Sequence, residues 1–425
     1  MEGTGDSADG RLGLQAAWSM AVGGMVGGGI FATLGVVLGI AGRLAWVSFL
    51  LAGGVALLAG YGYAMLAKKH GEGGGAFTFL REVRHEGLAG SLAWVLILGY
   101  VLTNAVYAAT FGAYLSHVLP LGSWGPRGAA VAILGVFVVV NLRGTGEAGG
   151  VEIFLVWFKL AVLVGLAGLG LGRWNPELLS RGAPDAGWGD ALSGAAAIFM
   201  AYEGFQLLTY DYDDLEAPER TLPRAIGWSI VTVVFVYVAV AVGTPMLIGA
   251  DAVVASGEVS LLVAGREALG SVGIGIVLVA ATFSTGSAVN ATLFATARLA
   301  RHVAAAGDLP ASMEHRNGAG VPDRAILTLA ALAAVFALLG RLSELVEGAS
   351  LAFLFTFAVV SGLAFAERAG SRMVNGFGFL GSGAAALALS VRLYRTNPLP
   401  LAAFGGVVLL AVVGRPVVRR VFGHE

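Results

Sequence analysis

Apolar runs near 20 residues recur along this chain from end to end, and they narrow its possible folds more than any other feature. A helix of that length crosses the hydrocarbon core of a bilayer, because each residue adds 1.5 Å. Composition agrees. Only 12% of the 425 residues are charged and mean hydropathy is +0.81, whereas soluble domains carry about 25% charged residues. The fold class is therefore an all-α polytopic membrane protein. Twelve spans are predicted, near 12–40, 45–66, 88–118, 128–141, 151–172, 189–211, 224–249, 269–302, 325–340, 345–366, 373–391 and 399–414. The connecting loops are short, which leaves no separate soluble domain.

Net charge is −1 and the pI about 6.6, so nothing marks a nucleic-acid partner. Cysteine is absent, which excludes disulfides, thiolate metal sites and cysteine nucleophiles. Residues 1–10 lack the basic region of a cleaved signal peptide. Lys/Arg placement orients the chain. With the N-terminus inside, 17 of the 26 basic residues fall on inner segments, 8 on outer segments, and Lys159 lies within a span. Both termini are then cytoplasmic, as tails 1–11 and 415–425.

The first span carries Val22–Gly35, V-G-G-M-V-G-G-G-I-F-A-T-L-G. Each glycine costs a helix interior about 1 kcal/mol relative to alanine. Unwound backbone survives at membrane depth only where it is buried in protein or lines a cavity. Two half-helices with a break at mid-bilayer are one solution. The second half would start near Gly27, its free N–H groups and dipole offering an anion site. A small-residue packing face through Gly24 and Gly28 is the other. The sixth span decides for a break, because A-I-F-M-A-Y-E-G-F-Q (Ala197–Gln206) is interrupted at the same depth by Glu203, Gly204 and Gln206. Two interrupted spans at corresponding positions of two halves point to an inverted-repeat transporter. Residues 12–172 form the first repeat (spans one to five) and 189–366 the second (six to ten). Residues 373–414 add spans eleven and twelve.

With these motifs in view the chain resembles the amino acid–polyamine–organocation (APC) superfamily of permeases, in its prokaryotic amino acid transporter branch. The resemblance rests on G-G-G-I-F (Gly27–Phe31), G-G-G-A-F-T-F-L-R-E (Gly73–Glu82), A-Y-E-G-F (Ala201–Phe205), E-A-P-E-R-T-L-P-R-A-I (Glu216–Ile226) and S-A-V-N-A-T-L-F-A-T-A-R-L-A (Ser287–Ala300) leading to G-D-L-P (Gly307–Pro310). It implies a five-plus-five inverted repeat (LeuT-like) with broken helices 1 and 6. It further implies alternating access in the cytoplasmic membrane of a prokaryote and an amino acid as substrate. The substrate carboxylate would meet the N–H groups of Gly28 and Gly29, beside Gly27. Its ammonium would meet the carbonyls of Met25, Met200, Ala201 and Glu203, and Phe205 would line the side-chain pocket. Met200 stands where relatives often carry an aromatic gate residue.

Asn104 and Tyr107, three apart on one face of the third span, face either the substrate or neighbouring helices. Ser284, Thr285 and Ser287 either surround a cation or bond back to their own helix. The Glu216–Arg224 run reads as a structural loop and gate contact. The six histidines show no metal spacing, so no metal and no cofactor are expected. Lys159 lies eight residues into the fifth span, about 12 Å deep, among apolar neighbours where a charge is costly. In similar family members a lysine on this span occupies the position of a sodium ion. Here its ammonium would bond the Val22 or Gly23 carbonyl and the Ser284 or Ser287 hydroxyl, making protons the expected coupling ion in preference to sodium.

Other classes fit less well. An amino acid/amine exchanger or polyamine carrier would pair Glu203 with a substrate cation. A membrane enzyme would need a nucleophile–base or metal constellation, and a sensor an appended signalling domain. An ATP-driven pump would need G-x-x-x-x-G-K-[ST]; neither it nor the other two is found in the sequence.

Overall fold

The computed structural model describes residues 11–71, 73–83, 86–144 and 149–414. The N-terminal tail before Arg11 and the tail 415–425 lie outside the described residues. Those that are described are almost wholly helical, with one isolated parallel bridge, Leu12 to Leu215, and no strand among them.

Helices α1 (Leu14–Met25) and α2 (Gly29–Ala41) share the first span and are parted at Val26–Gly28. Helices α3 (Ala45–His70), α4 (Gly75–Glu82), α5 (Glu86–Val118), α6 (Gly125–Leu142) and α7 (Gly149–Gly172) follow. The second interruption begins where α8 (Trp188–Ala197) stops. The chain continues as 3-10 turns Phe199–Tyr202 and Phe205–Asp214, with Glu203 extended and Gly204 at φ 129° between them. Only glycine takes that φ without strain. The pair bends by 58°. Then come α9 (Pro218–Ile248), α10 (Ala250–Ser256), α11 (Ser260–Ala305), α12 (Asp323–Leu339), α13 (Leu342–Ala366), α14 (Arg372–Thr396) and α15 (Leu399–Leu409).

Among the described residues, eight helical stretches are long and apolar enough to cross a membrane, or up to nine if the bent pair around Gly204 is one span. The other predicted spans correspond to shorter pieces: α1 has 12 residues, α12 has 17 and α15 has 11. One loop expectation is corrected. Residues 250–269 are helical rather than a plain connection, and α11 reverses at Gly270 (φ 62°), so the span predicted at 269–302 is only its second leg. The first leg and α10 cover the end of α2, where a Cβ on Gly35 would lie 2.8 Å from the Gly257 Cα.

Large apolar side chains face outward, as on a surface wetted by lipid: Trp228 is 63% and Phe235 68% exposed. Between helices there is little hydrophobic driving force in lipid, so close backbone approach supplies the packing. Helices α7 and α9 meet at Gly170 and Gly243, and a Cβ on Gly243 would stand 2.5 Å from the Ala167 carbonyl oxygen. Gly243→Leu is therefore expected to lower the thermal unfolding midpoint and the folded yield, at a cost of about 1–3 kcal/mol or more for overpacking. Gly227→Ala, on the same helix with open space around it, serves as the control. It should leave the midpoint unchanged or raise it slightly, the gain in stability being at most about 1 kcal/mol. Equal losses in both variants would refute the packing assignment.

Candidate functional site

Both interruptions strip hydrogen bonds from backbone groups buried in the bundle, and side chains from four other helices replace them. From α7, Lys159 donates its Nζ to the Gly23 carbonyl at 3.0 Å and is only 3% exposed. From α11, Ser284 Oγ donates to the Val26 carbonyl at 2.6 Å. From α9, the Tyr237 hydroxyl lies 2.7 Å from the Met25 carbonyl oxygen and 3.0 Å from that of Ala201, so one side chain spans both breaks. From α13, Ser350 Oγ donates to the Ala197 carbonyl at 2.7 Å and accepts from the Met200 N–H at 3.0 Å. An unmade backbone bond in this setting costs several kcal/mol, which explains why the four side chains converge there.

Glu203 is buried. Its Oε2 accepts from the Tyr107 hydroxyl at 3.3 Å and its Oε1 from Gln206 Nε2 at 3.2 Å. Gln206 Nε2 also reaches the Tyr100 hydroxyl at 3.2 Å, and its Oε1 accepts from the Gly204 N–H at 2.9 Å. The two breaks touch: a Cβ on Gly24 would be 3.0 Å from the Gly204 Cα. The faces of the other glycines are occupied too. A Cβ on Gly28 would enter the Tyr107 ring, one on Gly29 would meet the Tyr237 hydroxyl, and one on Gly27 would meet Ala288. A cleft of about 290 Å³ leads from Leu12, Asp214 and Arg298 to Gly23, Gly24 and Gly204 at its floor. Arg298 and Asp211 form a salt bridge of 3.5 Å at its mouth.

The residues named from the sequence divide into three groups. Gly27, Gly28, Gly29, Met25, Met200, Ala201, Glu203 and Tyr107 gather around the paired breaks. Of the carbonyls considered for an ammonium, those of Met25 and Ala201 are engaged by Tyr237, and that of Met200 accepts the Glu203 N–H at 3.0 Å. Lys159, Gly23 and Ser284 meet at the first break, where Ser284 bonds Val26. The Val22 carbonyl accepts the Val26 N–H at 2.8 Å, and Ser287 bonds back to the Ser284 carbonyl at 3.0 Å while also lining the cleft. Phe205 is fully buried in an aromatic cluster, its ring centroid 6.2 Å from that of Tyr63 and 5.4 Å from that of Phe357. Asn104 is buried with Oδ1 unpartnered. Tyr237 and Ser350 were missed by sequence reasoning. The signal for Tyr237 was a single hydroxyl in the apolar run V-F-V-Y-V-A-V, Val234 to Val240; Ser350 gave no more than a small polar residue among apolar ones.

Comparison with known proteins adds a second, independent line. Residues 12–414 match the family described as amino acid permease. An uncharacterized protein of Methanocaldococcus jannaschii is 30% identical over 425 residues, covering 98% of each chain. The inner membrane transport protein YbaT of Escherichia coli is 31% identical over 319 residues, covering 74% of each. The serine/threonine exchanger SteT of Bacillus subtilis is 26% identical over 306 residues, covering 71% of this chain and 69% of its own.

The geometry around Gly28 makes a direct prediction. In Gly28→Val the new side chain and the Tyr107 ring compete for one space, so ligand binding is expected to be lost while the purified protein keeps a single gel-filtration peak. Tyr107→Phe removes only the hydroxyl that reaches Glu203 and should weaken binding by a smaller factor, about threefold to tenfold for one hydrogen bond. Binding of both variants at the wild-type level, read by calorimetry, would remove Gly28 and Tyr107 from the site.

Proposed function

The chain belongs to the amino acid permease family, whose relatives named above include membrane transporters and no enzyme, and from that premise we propose that it imports amino acids by proton-coupled alternating access. In this reading the twelve spans form a five-plus-five inverted repeat, 12–172 and 189–366, followed by two further spans at 373–414. Both termini face the cytoplasm of a prokaryotic cell, and the cleft beside Arg298 is the inner vestibule. The substrate carboxylate binds the N–H groups at Gly28 and Gly29 after the Tyr107 ring moves aside. The ammonium takes over carbonyls that Tyr237 now holds, a division of charge suited to a zwitterion at broken helices.

One observation carries the coupling: a deeply buried Lys159 whose ammonium holds the Gly23 carbonyl beside the first break. Protonated, it ties α7 to the unwound turn after α1; deprotonated, it releases that turn. Substrate binding and proton binding then act on the same few residues. An intramembrane ionisable group with such a partner is a functional candidate by default. The alternative is an amino acid/amine exchanger or polyamine carrier. It draws support from the Bacillus relative's name and from the buried Glu203 carboxyl at the breaks.

Proteoliposomes separate these readings. A one-unit pH gradient is worth about 1.4 kcal/mol per proton, or about tenfold accumulation with one-to-one coupling. Accumulation is expected under that gradient without sodium, and Lys159→Ala should lose it while retaining counterflow. A sodium requirement, or gradient-driven accumulation in Lys159→Ala, would refute the proton role. Uptake that appears only when the vesicles are preloaded with amino acid or amine would favour the exchanger.

A further inference from the structure

A second polar pocket, of about 430 Å³, lies beside the cleft between α6, α11 and the 316–322 loop. Three arginines line it. Arg298 and Arg301 are three residues apart on α11 and so share a face, while the loop brings Arg316 to the same space. The loop is firmly seated. Asn317 Nδ2 donates to the Leu142 carbonyl at the end of α6 at 2.7 Å, and its Oδ1 accepts the N–H groups of Ala319 and Val321 at 2.9 and 3.1 Å. Asn141 Nδ2 donates to Asn290 Oδ1 at 2.9 Å, joining α6 to α11 at the inner wall.

Among the described residues, the charges around this pocket are unbalanced towards positive. Asp211 pairs with Arg298 at 3.5 Å, and the field of Glu314 reaches Arg301. Against these two acids stand three guanidiniums, with Arg301 Nη2 2.8 Å from His302 Nε2. Guanidinium forks match phosphate oxygens in pairs, and basic pockets between membrane helices hold phosphate head groups. A second observation extends the site. An apolar groove of about 570 Å³ runs along α6 and α11 past Phe137, Leu155 and Phe283, and it meets the arginine pocket at Asn290. A charged pocket adjoining an apolar groove suits a ligand with an anionic head and a hydrocarbon tail.

We propose that these two cavities together bind an anionic phospholipid, its phosphate between Arg301, Arg316 and Arg298 and an acyl chain along Phe137 and Phe283. The site lies beside the paired breaks and not at them, although Arg298 and Phe294 border both the pocket and the cleft and Ser287 borders both the groove and the cleft.

Native mass spectrometry of the delipidated full chain tests this, with phosphatidylglycerol, phosphatidylcholine and inorganic phosphate added in separate arms. Arg298 is left intact because it also lines the cleft, and the variant is Arg301→Gln/Arg316→Gln. Wild type is expected to retain phosphatidylglycerol in preference to phosphatidylcholine, and the double variant to lose that retention by about tenfold or more, the scale for charge-assisted bonds. Should the double variant fail to give a monodisperse peak, Arg316→Gln alone, on an exposed loop, is measured in its place with the same expected direction. Equal retention of the two lipids, or unchanged phosphatidylglycerol binding in the variant, would overturn the proposal. So would an arginine-dependent response to inorganic phosphate with none to the lipid, since the ligand would then be a free anion.

Discussion

Backbone hydrogen bonding inside a bilayer is the constraint on which the rest of this structure depends. Water is unavailable to groups freed when a helix stops at mid-membrane. The chain stops two helices inside its buried interior, at Val26–Gly28 and again from Ile198 to Gly204. Lys159, Ser284, Tyr237 and Ser350 each supply a donor to a carbonyl that has lost its helical partner. They come from α7, α11, α9 and α13, so the breaks also fix how four separate helices sit around α1, α2 and α8. Tyr237 couples most directly, since its hydroxyl contacts carbonyls on both sides of the pair.

Glycine plays two different physical parts. At Gly204 the backbone itself demands it, with φ at 129°. At Gly24, Gly170 and Gly243 the conformation is ordinary and the demand is for space, because another backbone occupies the volume a Cβ would take. The second part matters in lipid, where apolar side chains gain little by leaving the solvent and helices gain by approaching closely. The same economy brings the two breaks into contact at Gly24 and Gly204. Side chains that line this contact, such as Tyr107 and Glu203, are thereby held within hydrogen-bonding distance although 96 residues apart in sequence.

Polar residues are sorted by depth as well as by partner. Near the breaks they are engaged with backbone or with one another, as in the Tyr107–Glu203–Gln206–Tyr100 chain. Towards the Leu12 end, charges gather around openings: Asp211 and Arg298 at the mouth of the cleft, Arg301 and Arg316 in the pocket beside it. Desolvation explains the gradient. A charge near the surface of the bundle keeps some water, whereas Lys159 must find its partners within the protein.

The helical membrane class and the two interruptions were legible in the sequence, because each rests on local physics. Length and apolarity set the spans, and runs of glycine or buried polar residues weaken a helix wherever they occur. The motifs around Gly27 and Ala201 likewise carried the family. Span number was less accessible: α12, with 17 residues, and the helical leg at 250–269 differ from the neighbouring spans in length and direction, which depend on what they pack against. Partner choice was decided only by tertiary structure. Lys159 had several carbonyls and hydroxyls within reach by sequence reasoning, and the fold pairs it with Gly23 while Ser284 takes Val26. Tyr237 carried no local mark of its role, since a hydroxyl in an apolar helix bonds whatever carbonyl packing brings to it. The three arginines beside Asn290 are separated by up to 18 positions in the chain (316 − 298). Their meeting depends on Asn317 fastening a loop to the end of α6, a contact across 175 residues that no local pattern encodes.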